Sequence, residues 1–265
     1  YGLRSREGFW RFAMLRNSAS TGRWMVNLVT AFEERQPLLA LAERLTAVFP
    51  EIASVVNNVT GRAAGIAVGE FERRVAGDAC IRDAVGRFKF DISANSFFQT
   101  NTRAAVRLYE TVLHYAGLNG VETVLDLYSG TGTIPIYISE KCREVVGIEI
   151  VAGAVEDAER NCRSNGVSNC RFVRGDILEG LASIDLRPEV VIIDPPRVGM
   201  AREVVEQVLR MAPARIVYVS CNPATLARDL ALLKERYAVL EIQPLDMFPH
   251  TYHIECVTKL EKKKR

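Results

Sequence analysis

Five short, almost continuously apolar segments along the later part of the chain constrain its fold more than any other feature. They are TVLDLYS (123–129), EVVGIEI (144–150), CRFVRGD (170–176), EVVIIDPP (189–196) and RIVYVSC (215–221). Helical patterns, such as GAVEDAERNCRSN and AREVVEQVLRMA, alternate with them. Apolar strands that alternate with helices are typical of a parallel sheet with helices on both faces. The sequence therefore predicts an α/β fold with a doubly wound, Rossmann-like sheet.

The segments on either side of this region follow other patterns. YAVLEIQPLDMF and HIECVTKLE come in succession without a helix between them, which predicts an antiparallel hairpin at one edge of the sheet. Residues 1–95 contain one helical pattern, PLLALAERLTAVF, among short alternating runs, and we expect there a smaller α+β region with an antiparallel sheet. Those runs are FWRFAML, WMVNLVTAF, IASVVNNV, AAGIAVGEF and GRFKFDIS.

Composition narrows the class of protein. The chain has 265 residues, 48% of them apolar, and no apolar stretch long enough to predict a membrane span. Six cysteines without a CxxC pair, and no histidine at zinc spacing, predict no metal site and reduced thiols in the cytoplasm. The net charge of +2 excludes neither RNA nor acidic partners, and the arginine-rich start and the KLEKKKR end are either phosphate contacts or solvated surface. Because the chain starts at Tyr1 without an apolar leader, we expect a fragment with its N-terminal region missing.

A glycine turn after the first of the five segments predicts a nucleotide-type cofactor. In LDLYSGTGTIPIYIS, Gly130 and Gly132 allow a sharp turn between strand and helix, preceded by Asp126. Glu149 ends the second segment, where a carboxylate can accept hydrogen bonds from ribose hydroxyls, and Asp176 ends the third, facing an adenine edge. The missing third glycine favours S-adenosylmethionine over NAD. Ordinary loop glycines and strand-end acids remain the alternative.

The segment IIDPPRVGM places Asp194 at the end of the fourth strand, beside the expected cofactor. The two prolines that follow stiffen the loop. Methylases that act on amino groups usually have an aromatic residue after such prolines, and this chain has Arg197 there. The loop therefore argues against amino methylation.

Cys221 and Glu255 are the two candidate reactive groups. Cys221 ends the fifth segment, and NPATLARDL after it predicts a helix whose N-terminus would stabilise a thiolate. A buried structural cysteine is the alternative, which we accept for the other five cysteines. Glu255 lies inside the apolar run HIECV, where it is either a solvent-facing glutamate on an edge strand or an acid–base group.

Five separated motifs together resemble the RNA 5-methyluridine methyltransferase family, whose S-adenosylmethionine-dependent members methylate uracil C5 in RNA. The motifs are SFFQTN (96–101), LDLYSGTGT (125–133), IDPPRVG (193–199), VSCNPATLARDL (219–230) and HIECV (253–257). By general likeness, the chain resembles the 23S ribosomal RNA branch of the family. Many members have an N-terminal OB-type domain and some a cysteine-rich cluster segment, and since neither matches a part of this sequence, we expect a C-terminal fragment.

This resemblance implies the fold, the partners and the role of each site residue. Residues 1–95 would form a central, RNA-contacting region and 96–265 a class I methyltransferase domain, acting as a monomer on ribosomal RNA more readily than on transfer RNA. Cys221 matches the nucleophile, Glu255 the base that removes the C5 proton, and Asp194 a group that contacts uracil as well as cofactor. The remaining positions that match cofactor contacts are Gln99, Tyr128, Thr133, Glu149 and Asp176.

Three other functions compete with this interpretation. Cytosine C5 methylation uses the same addition chemistry, but its enzymes usually place the cysteine differently. A non-catalytic module that binds RNA or S-adenosylmethionine would not need Cys221, Glu255 and Gln99 together. An NAD-dependent enzyme is disfavoured by the incomplete glycine pattern.

Overall fold

The computed structural model describes residues 1–2, 4–5, 7–61 and 69–264. The chain divides into two units, Tyr1–Thr100 and Asn101–Arg265, so the division falls five residues beyond the predicted limit of the first region. The roles that we assign to the two parts stay predictions. Within the described ranges, no helix combines the length and the apolar character that a membrane crossing requires.

The described residues of the first unit form a four-stranded sheet, one helix and a separate hairpin. Its elements are β1 (Trp10–Asn17), β2 (Trp24–Thr30), α1 (Arg35–Val48), β3 (Ile52–Val59), β4 (Phe71–Gly77), β5 (Ile81–Val85) and β6 (Phe88–Ile92). The sheet has the order β1-β2-β3-β4, and β5 pairs with β6. The predicted helix is present as α1. Of the run AAGIAVGEF, residues 63–68 lie outside the described part of the chain.

The prediction of an antiparallel sheet for this unit is wrong at its centre. β1 pairs antiparallel with β2, and β3 with β4, but β2 and β3 run parallel. The reason is α1, which returns the chain to the starting end of β2, so that β2, α1 and β3 form a crossover unit. Leu38 and Ala42 of α1 pack on Val26, Leu28 and Val55 of the two strands, burying the apolar face of the helix.

The second unit is built on a seven-stranded sheet with helices between its strands. Its elements are α2 (Thr102–Ala116), β7 (Thr123–Leu127), α3 (Thr133–Ile138), a 3₁₀ turn (Ser139–Lys141), β8 (Glu144–Glu149), α4 (Ala152–Ser164), β9 (Cys170–Arg174), α5 (Ile177–Ser183), β10 (Val190–Ile193), α6 (Arg202–Met211), β11 (Arg215–Ser220), α7 (Pro223–Leu233), β12 (Tyr237–Leu245) and β13 (Glu255–Lys262). The sheet order is β12-β13-β11-β10-β7-β8-β9. The predicted α/β fold is confirmed.

Apolar burial holds this sheet together. Leu125, Val146, Val191 and Ile216, from four neighbouring strands, are fully buried, and α6 and α7 cover them with apolar side chains such as Val208. Complete burial of one such aliphatic side chain contributes about 1.5–3 kcal/mol. The strands are apolar on both faces because helices cover both, as the sequence pattern indicates.

Strand direction gathers many strand ends at one edge of the sheet. The pairs formed by β7, β8, β9, β10 and β11 are parallel, so their carboxyl ends share an edge. β13 runs antiparallel between β11 and β12, which brings its amino end to the same edge. Here called the carboxyl edge, it is where ligands bind in open α/β sheets, near the place where the strand order reverses.

A strained helix end provides a test of this fold. Ala212, which follows α6, has a φ of 50° and donates its N–H to the Val208 carbonyl. The left-handed region suits glycine better than alanine. We expect Ala212→Gly to raise the free energy of unfolding by about 0.5–1 kcal/mol, measured by urea denaturation.

The matched control is Ala227→Gly at an exposed position inside α7. Because that residue has ordinary helical surroundings, the control should lower the free energy of unfolding by about 1 kcal/mol. Destabilisation by both substitutions would show that the conformation at Ala212 carries no strain.

Candidate active site

Seven of the eight predicted site residues lie along the carboxyl edge or in the turns that leave it. They are Tyr128 after β7, Thr133 at the start of α3, Glu149 at the end of β8, Asp176 after β9, Asp194 after β10, Cys221 after β11 and Glu255 at the start of β13. Residues separated by more than a hundred positions are thus brought to one edge by strand direction alone.

The glycine turn between β7 and α3 is shaped by close packing. Tyr128 has a φ of 69°, and the backbone N–H groups of Tyr128 and Ser129 donate to the Ile148 carbonyl. A Cβ added at Gly132, whose φ is +75°, would lie 2.9 Å from the Phe172 ring. At Gly130, with a φ of +53°, such an atom would meet no protein atom within 4 Å. The turn is therefore packed at Gly132 and open at Gly130, where a ligand can approach the backbone.

Glu149 is built into the same turn. One of its carboxylate oxygens accepts a hydrogen bond from the Gly130 N–H at 2.9 Å, and the other from the Val151 N–H at 2.8 Å. These bonds fix the carboxylate at the end of β8, and its second lone pairs stay available for hydroxyl donors. The geometry is compatible with the predicted ribose contact.

Asp126 has an electrostatic role that sequence analysis did not assign. Its side chain is fully buried in β7, and neither carboxylate oxygen has a hydrogen-bond partner among the described residues. Burial, followed by the nearby charges of Asp194 and Glu149, raises the pKa of Asp126 well above its ordinary value. The hydroxyls of Ser129 and Thr131 in the adjoining turn are likewise buried without a described partner. Such unsatisfied groups fit a site that receives a polar, positively charged ligand such as S-adenosylmethionine.

Thr133 and Asp176 each have a structural partner as well as a predicted ligand. Thr133 accepts a hydrogen bond from the buried Tyr109 hydroxyl at 3.1 Å. Asp176 caps α5 by accepting the Leu178 N–H at 2.9 Å. Burial and then the Asp176 charge raise the pKa of Tyr128 to about 12, which places Tyr128 near Asp176. The predicted cofactor contacts of these residues stay predictions.

Strand register brings the two candidate reactive groups together. β11 and β13 pair Ser220 with Cys256, so Cys221 follows and Glu255 precedes the last pair of this antiparallel ladder. Glu255 is only 6% exposed, so the alternative of a solvent-facing glutamate is wrong. Burial, and then the charge of Asp194, raises the pKa of Glu255 to about 7. Burial raises the pKa of Asp194 to about 6. Both groups therefore titrate near neutral pH, where acid–base catalysts work best.

The half-buried Cys221 thiol does not have the lowered pKa that a position at a helix N-terminus predicts. Its pKa is raised, first by burial and then by the charges of Glu255 and Asp194, while Arg197 lowers it. The helix N-terminus does not dominate because Asn222 caps α7, taking the Ala224 N–H with its own side chain. Burial and the neighbouring carboxylates thus outweigh the groups that lower the pKa of this thiol.

Hydrogen bonds fasten the loop after Asp194 to the helix after Cys221. Asn222 Nδ2 and Thr225 Oγ1 both donate to the Arg197 carbonyl, at 3.1 and 3.3 Å. A Cβ on Gly199, whose φ is +77°, would lie 2.5 Å from the Arg228 guanidinium, so only glycine allows this close packing. The two segments that carry candidate reactive groups therefore form one fixed piece.

Asp229 and Arg228, which sequence analysis missed, complete this fastening. Asp229 is fully buried and accepts hydrogen bonds from the Met200 N–H at 2.9 Å and the Tyr218 hydroxyl at 2.6 Å. Arg228 pairs with Asp229 at 2.8 Å and donates to the Val198 and Met200 carbonyls. The available signal was a charged Arg-Asp pair in the otherwise apolar segment TLARDL.

Gln99 belongs to the first unit. It is buried and lines a cavity of about 440 Å³ together with Asn27, Asp83 and Phe98 of that unit. Its predicted cofactor contact stays a prediction. Over the ranges that the structure describes, no group of three or more His, Cys, Asp or Glu side chains could hold a metal ion.

Known proteins show both the fold and the family. A solved structure of Pyrococcus abyssi tRNA (uracil-54, C5)-methyltransferase in complex with S-adenosyl-L-homocysteine superimposes with a TM-score of 0.79 at 35% identity, covering 97% of this chain and 61% of that one. M. jannaschii tRNA m1G37 methyltransferase matches with a TM-score of 0.59 at 13% identity, over 96% of this chain and 72% of that one. The second likeness concerns the fold alone. The architecture is that of class I S-adenosylmethionine-dependent methyltransferases.

Sequence relatives narrow this class to a family. The family model described as tRNA (Uracil-5-)-methyltransferase matches residues 42–263. An uncharacterized RNA methyltransferase of Chlorobaculum tepidum is 43% identical, over 99% of this chain and 56% of the relative, and one of Halalkalibacterium halodurans is 40% identical, over 99% and 58%. The chain belongs to the tRNA (uracil-5-)-methyltransferase family, and the predicted resemblance is confirmed. It spans a little more than half the length of these two relatives.

The raised pKa of Glu255 makes protein stability depend on pH. An acid with a higher pKa in the folded state keeps its proton there after the unfolded chain has lost it, so stability falls as pH rises from about 4.5 toward 7. Glu255→Gln removes this effect. The difference in free energy of unfolding between the variant and wild type should rise in favour of the variant by on the order of 2 kcal/mol from pH 5 to pH 8. Urea denaturation at each pH measures this difference.

Glu156→Gln, at an exposed position on α4, is the control and should show a constant difference from wild type over the same range. A gain for Glu255→Gln that does not change with pH would contradict the assigned titration.

The buried network around Asp229 gives a second test. Asp229→Asn removes the charge that pairs with Arg228 while keeping the shape of the side chain, and should lower the free energy of unfolding by about 1–3 kcal/mol. Glu206→Gln breaks the exposed Arg202–Glu206 pair of α6 and should cost less than about 0.5 kcal/mol. Equal losses of stability for the two variants in thermal denaturation would contradict the role of Asp229 in holding these segments together.

Proposed function

We propose that this chain carries the catalytic part of an enzyme that methylates uracil at C5 in RNA, with S-adenosylmethionine as methyl donor. The observation that carries the proposal is that Cys221 and the buried Glu255 adjoin the strand pair Ser220–Cys256, at the edge that also holds the glycine turn. A nucleophile beside a carboxyl of pKa about 7 is what addition–elimination at a pyrimidine ring requires.

The names of the relatives support the substrate class. The Pyrococcus abyssi protein is named for C5 of uracil in tRNA and was solved with the product form of the cofactor. Because the chain spans only part of its relatives, their activity comes to it as part of this proposal.

The cofactor would lie along the carboxyl edge between the glycine turn and Asp194. Glu149 would accept hydrogen bonds from its ribose, and the backbone at Gly130 is open to it. Burial raises the pKa of Asp126 and Asp194, and a cationic ligand beside them would favour their ionised forms. S-adenosylmethionine contributes an electrophilic methyl group.

Uracil C5 is a weak nucleophile, and Cys221 is placed to activate it. The Cys221 thiolate forms a bond to C6, and the ring π electrons move toward O4, giving an enolate. C5 would then bond to the methyl carbon, while the bond from that carbon to the sulfur of the donor breaks and S-adenosylhomocysteine leaves with the electron pair. Glu255 removes the C5 proton, the C5–C6 double bond re-forms and the bond from Sγ to C6 breaks, releasing Cys221. The half-buried thiol needs to lose its proton first, and positive charge at this edge, from Arg197 or from the bound cofactor, favours that loss.

The RNA substrate is the finer part of the proposal. The motifs resemble the ribosomal RNA branch, whereas the family model and the solved relative are named for tRNA. We propose ribosomal RNA, acted on by a cytoplasmic monomer. The target base has to leave its stack to reach Cys221, which favours a loop over a continuous duplex.

The experiment is methyl transfer from labelled S-adenosylmethionine to undermethylated ribosomal and transfer RNA in separate reactions, with digestion to nucleosides and mass spectrometry. We expect label in 5-methyluridine from ribosomal RNA. Cys221→Ala should lower the rate by at least about 10³-fold and abolish the covalent adduct with RNA containing 5-fluorouridine.

Cys80→Ala changes a cysteine of similar exposure in the first unit and should leave both readouts intact. Label in 5-methyluridine from transfer RNA would correct the substrate only. Label in methylcytidine or methyladenosine would overturn the chemistry. Binding of S-adenosylmethionine and RNA without any transfer would indicate a binding module.

A further inference from the structure

We propose that Tyr252, His253 and Arg197 form a stacking platform for the nucleobase next to the target uridine. We call these three residues the aromatic platform. The proposal rests on the proposed function, because it names the part of the RNA substrate that the edge of the same site would hold.

The geometry of the aromatic platform is that of a supported, open ring. The Tyr252 side chain is 84% exposed, although its ring lies 4.3 Å from the His253 ring, centroid to centroid, with an interplanar angle of 38°. Arg197 Nη1 is 3.1 Å from His253 Nδ1, and its guanidinium carbon is 5.9 Å from the Tyr252 ring centroid. Tyr252 thus has the His253 ring and the Arg197 guanidinium as neighbours, while most of its surface faces solvent.

The loop that carries Tyr252 is held in shape by its own hydrogen bonds. The Thr251 N–H and hydroxyl both donate to the Phe248 carbonyl, and the hydroxyl accepts the His253 N–H at 3.2 Å. His250 has a φ of 71°, which turns the chain sharply before Thr251. The backbone of Arg197 is tied to α7 through Asn222 and Thr225. The ring and the guanidinium are therefore presented by two braced loops, which lowers the entropic cost of binding a base.

The aromatic platform lies close to the reacting groups. Tyr252 and His253 precede Glu255 by three and two residues, and Arg197 follows Asp194 by three. The charge of Arg197 also reaches the Cys221 thiol. A uracil held at Cys221 would consequently leave its neighbour along the strand near the platform.

The chemistry of the platform fits a nucleotide better than a peptide. An exposed aromatic face accepts any nucleobase, and a guanidinium beside it can pair with a phosphate or stack in turn. Arg197 gives the platform a positive charge, which complements the phosphates of a polyanion. The target uracil itself is not the occupant, because its C6 has to reach Cys221.

The test measures stacking directly, without chemistry. A short single-stranded RNA with one uridine and 2-aminopurine on one or the other side of it is titrated with the chain in the presence of S-adenosylhomocysteine. Stacking on Tyr252 should quench the 2-aminopurine fluorescence on one side of the uridine. Tyr252→Ala should abolish that quench and weaken binding about tenfold, whereas Tyr252→Phe should retain both.

The control is Val121→Ala, which truncates a 66% exposed side chain just before β7, at the opposite edge of the sheet, and should bind like wild type. Replacing the flanking nucleotide by an abasic unit should cost wild type about tenfold in affinity and Tyr252→Ala almost nothing. Tyr252 is exposed, so the variant should keep the wild-type melting temperature.

The outcomes separate this inference from the proposed function. Quenching that depends on Tyr252, without methyl transfer to any RNA, would keep the platform and overturn the function. Methyl transfer to uridine with equal abasic penalties in wild type and Tyr252→Ala would keep the function and overturn the platform. Failure of the chain to bind these RNAs at all would also overturn the platform.

Discussion

The antiparallel pairing of β13 with β11 is the constraint on which the candidate site depends. A parallel strand in this position would present its carboxyl end at the edge, and Glu255, at the amino end of the strand, would lie on the opposite side of the sheet. Reversal of one strand instead places the first residue of β13 beside the residue that follows β11. The backbone ladder fixes the adjacent pair, Ser220 with Cys256, and so brings together the two strand ends that carry Cys221 and Glu255.

Buried acidic side chains are concentrated at the same edge, and not every one of them has a hydrogen-bond donor among the described residues. Asp126, Asp194 and Glu255 each have a raised pKa, and burial is the first cause in every case. Asp194 raises the pKa of the other two, so the three groups act as one electrostatic unit. The Asp126 carboxylate lacks a described donor, and such a site is expensive unless a ligand or a proton compensates. The edge is therefore arranged for a cationic ligand, and burial raises the pKa of Asp194 to about 6 and that of Glu255 to about 7.

The sequence predicts the sheet well because continuous apolar strands and alternating helices are local signals. It predicts Cys221, Asp194 and Glu149 as strand-end residues for the same reason, since strand ends at β11, β10 and β8 can be read from the pattern. The direction of β3 relative to β2 could not be read, because a helix between two strands permits a crossover but does not require pairing. The raised pKa of Cys221 could not be predicted either. It depends on burial and on Glu255, which is distant in sequence and is brought near by the pairing of β11 with β13.

Asp229 shows why a buried polar residue inside a helix is hard to predict from sequence although the site depends on it. An aspartate in the middle of a helix has low intrinsic preference for that position and carries no motif of its own. Its carboxylate accepts two hydrogen bonds from distant parts of the fold. One comes from the hydroxyl of Tyr218 in β11 and the other from the N–H of Met200 in the loop after β10. Through them the segment after Asp194 and the helix after Cys221 are held to the same strand. Arg197 leaves this fixed segment toward His253 and the loop before Glu255. Three loops from three different strands are consequently linked, so the surface between them is largely formed in advance.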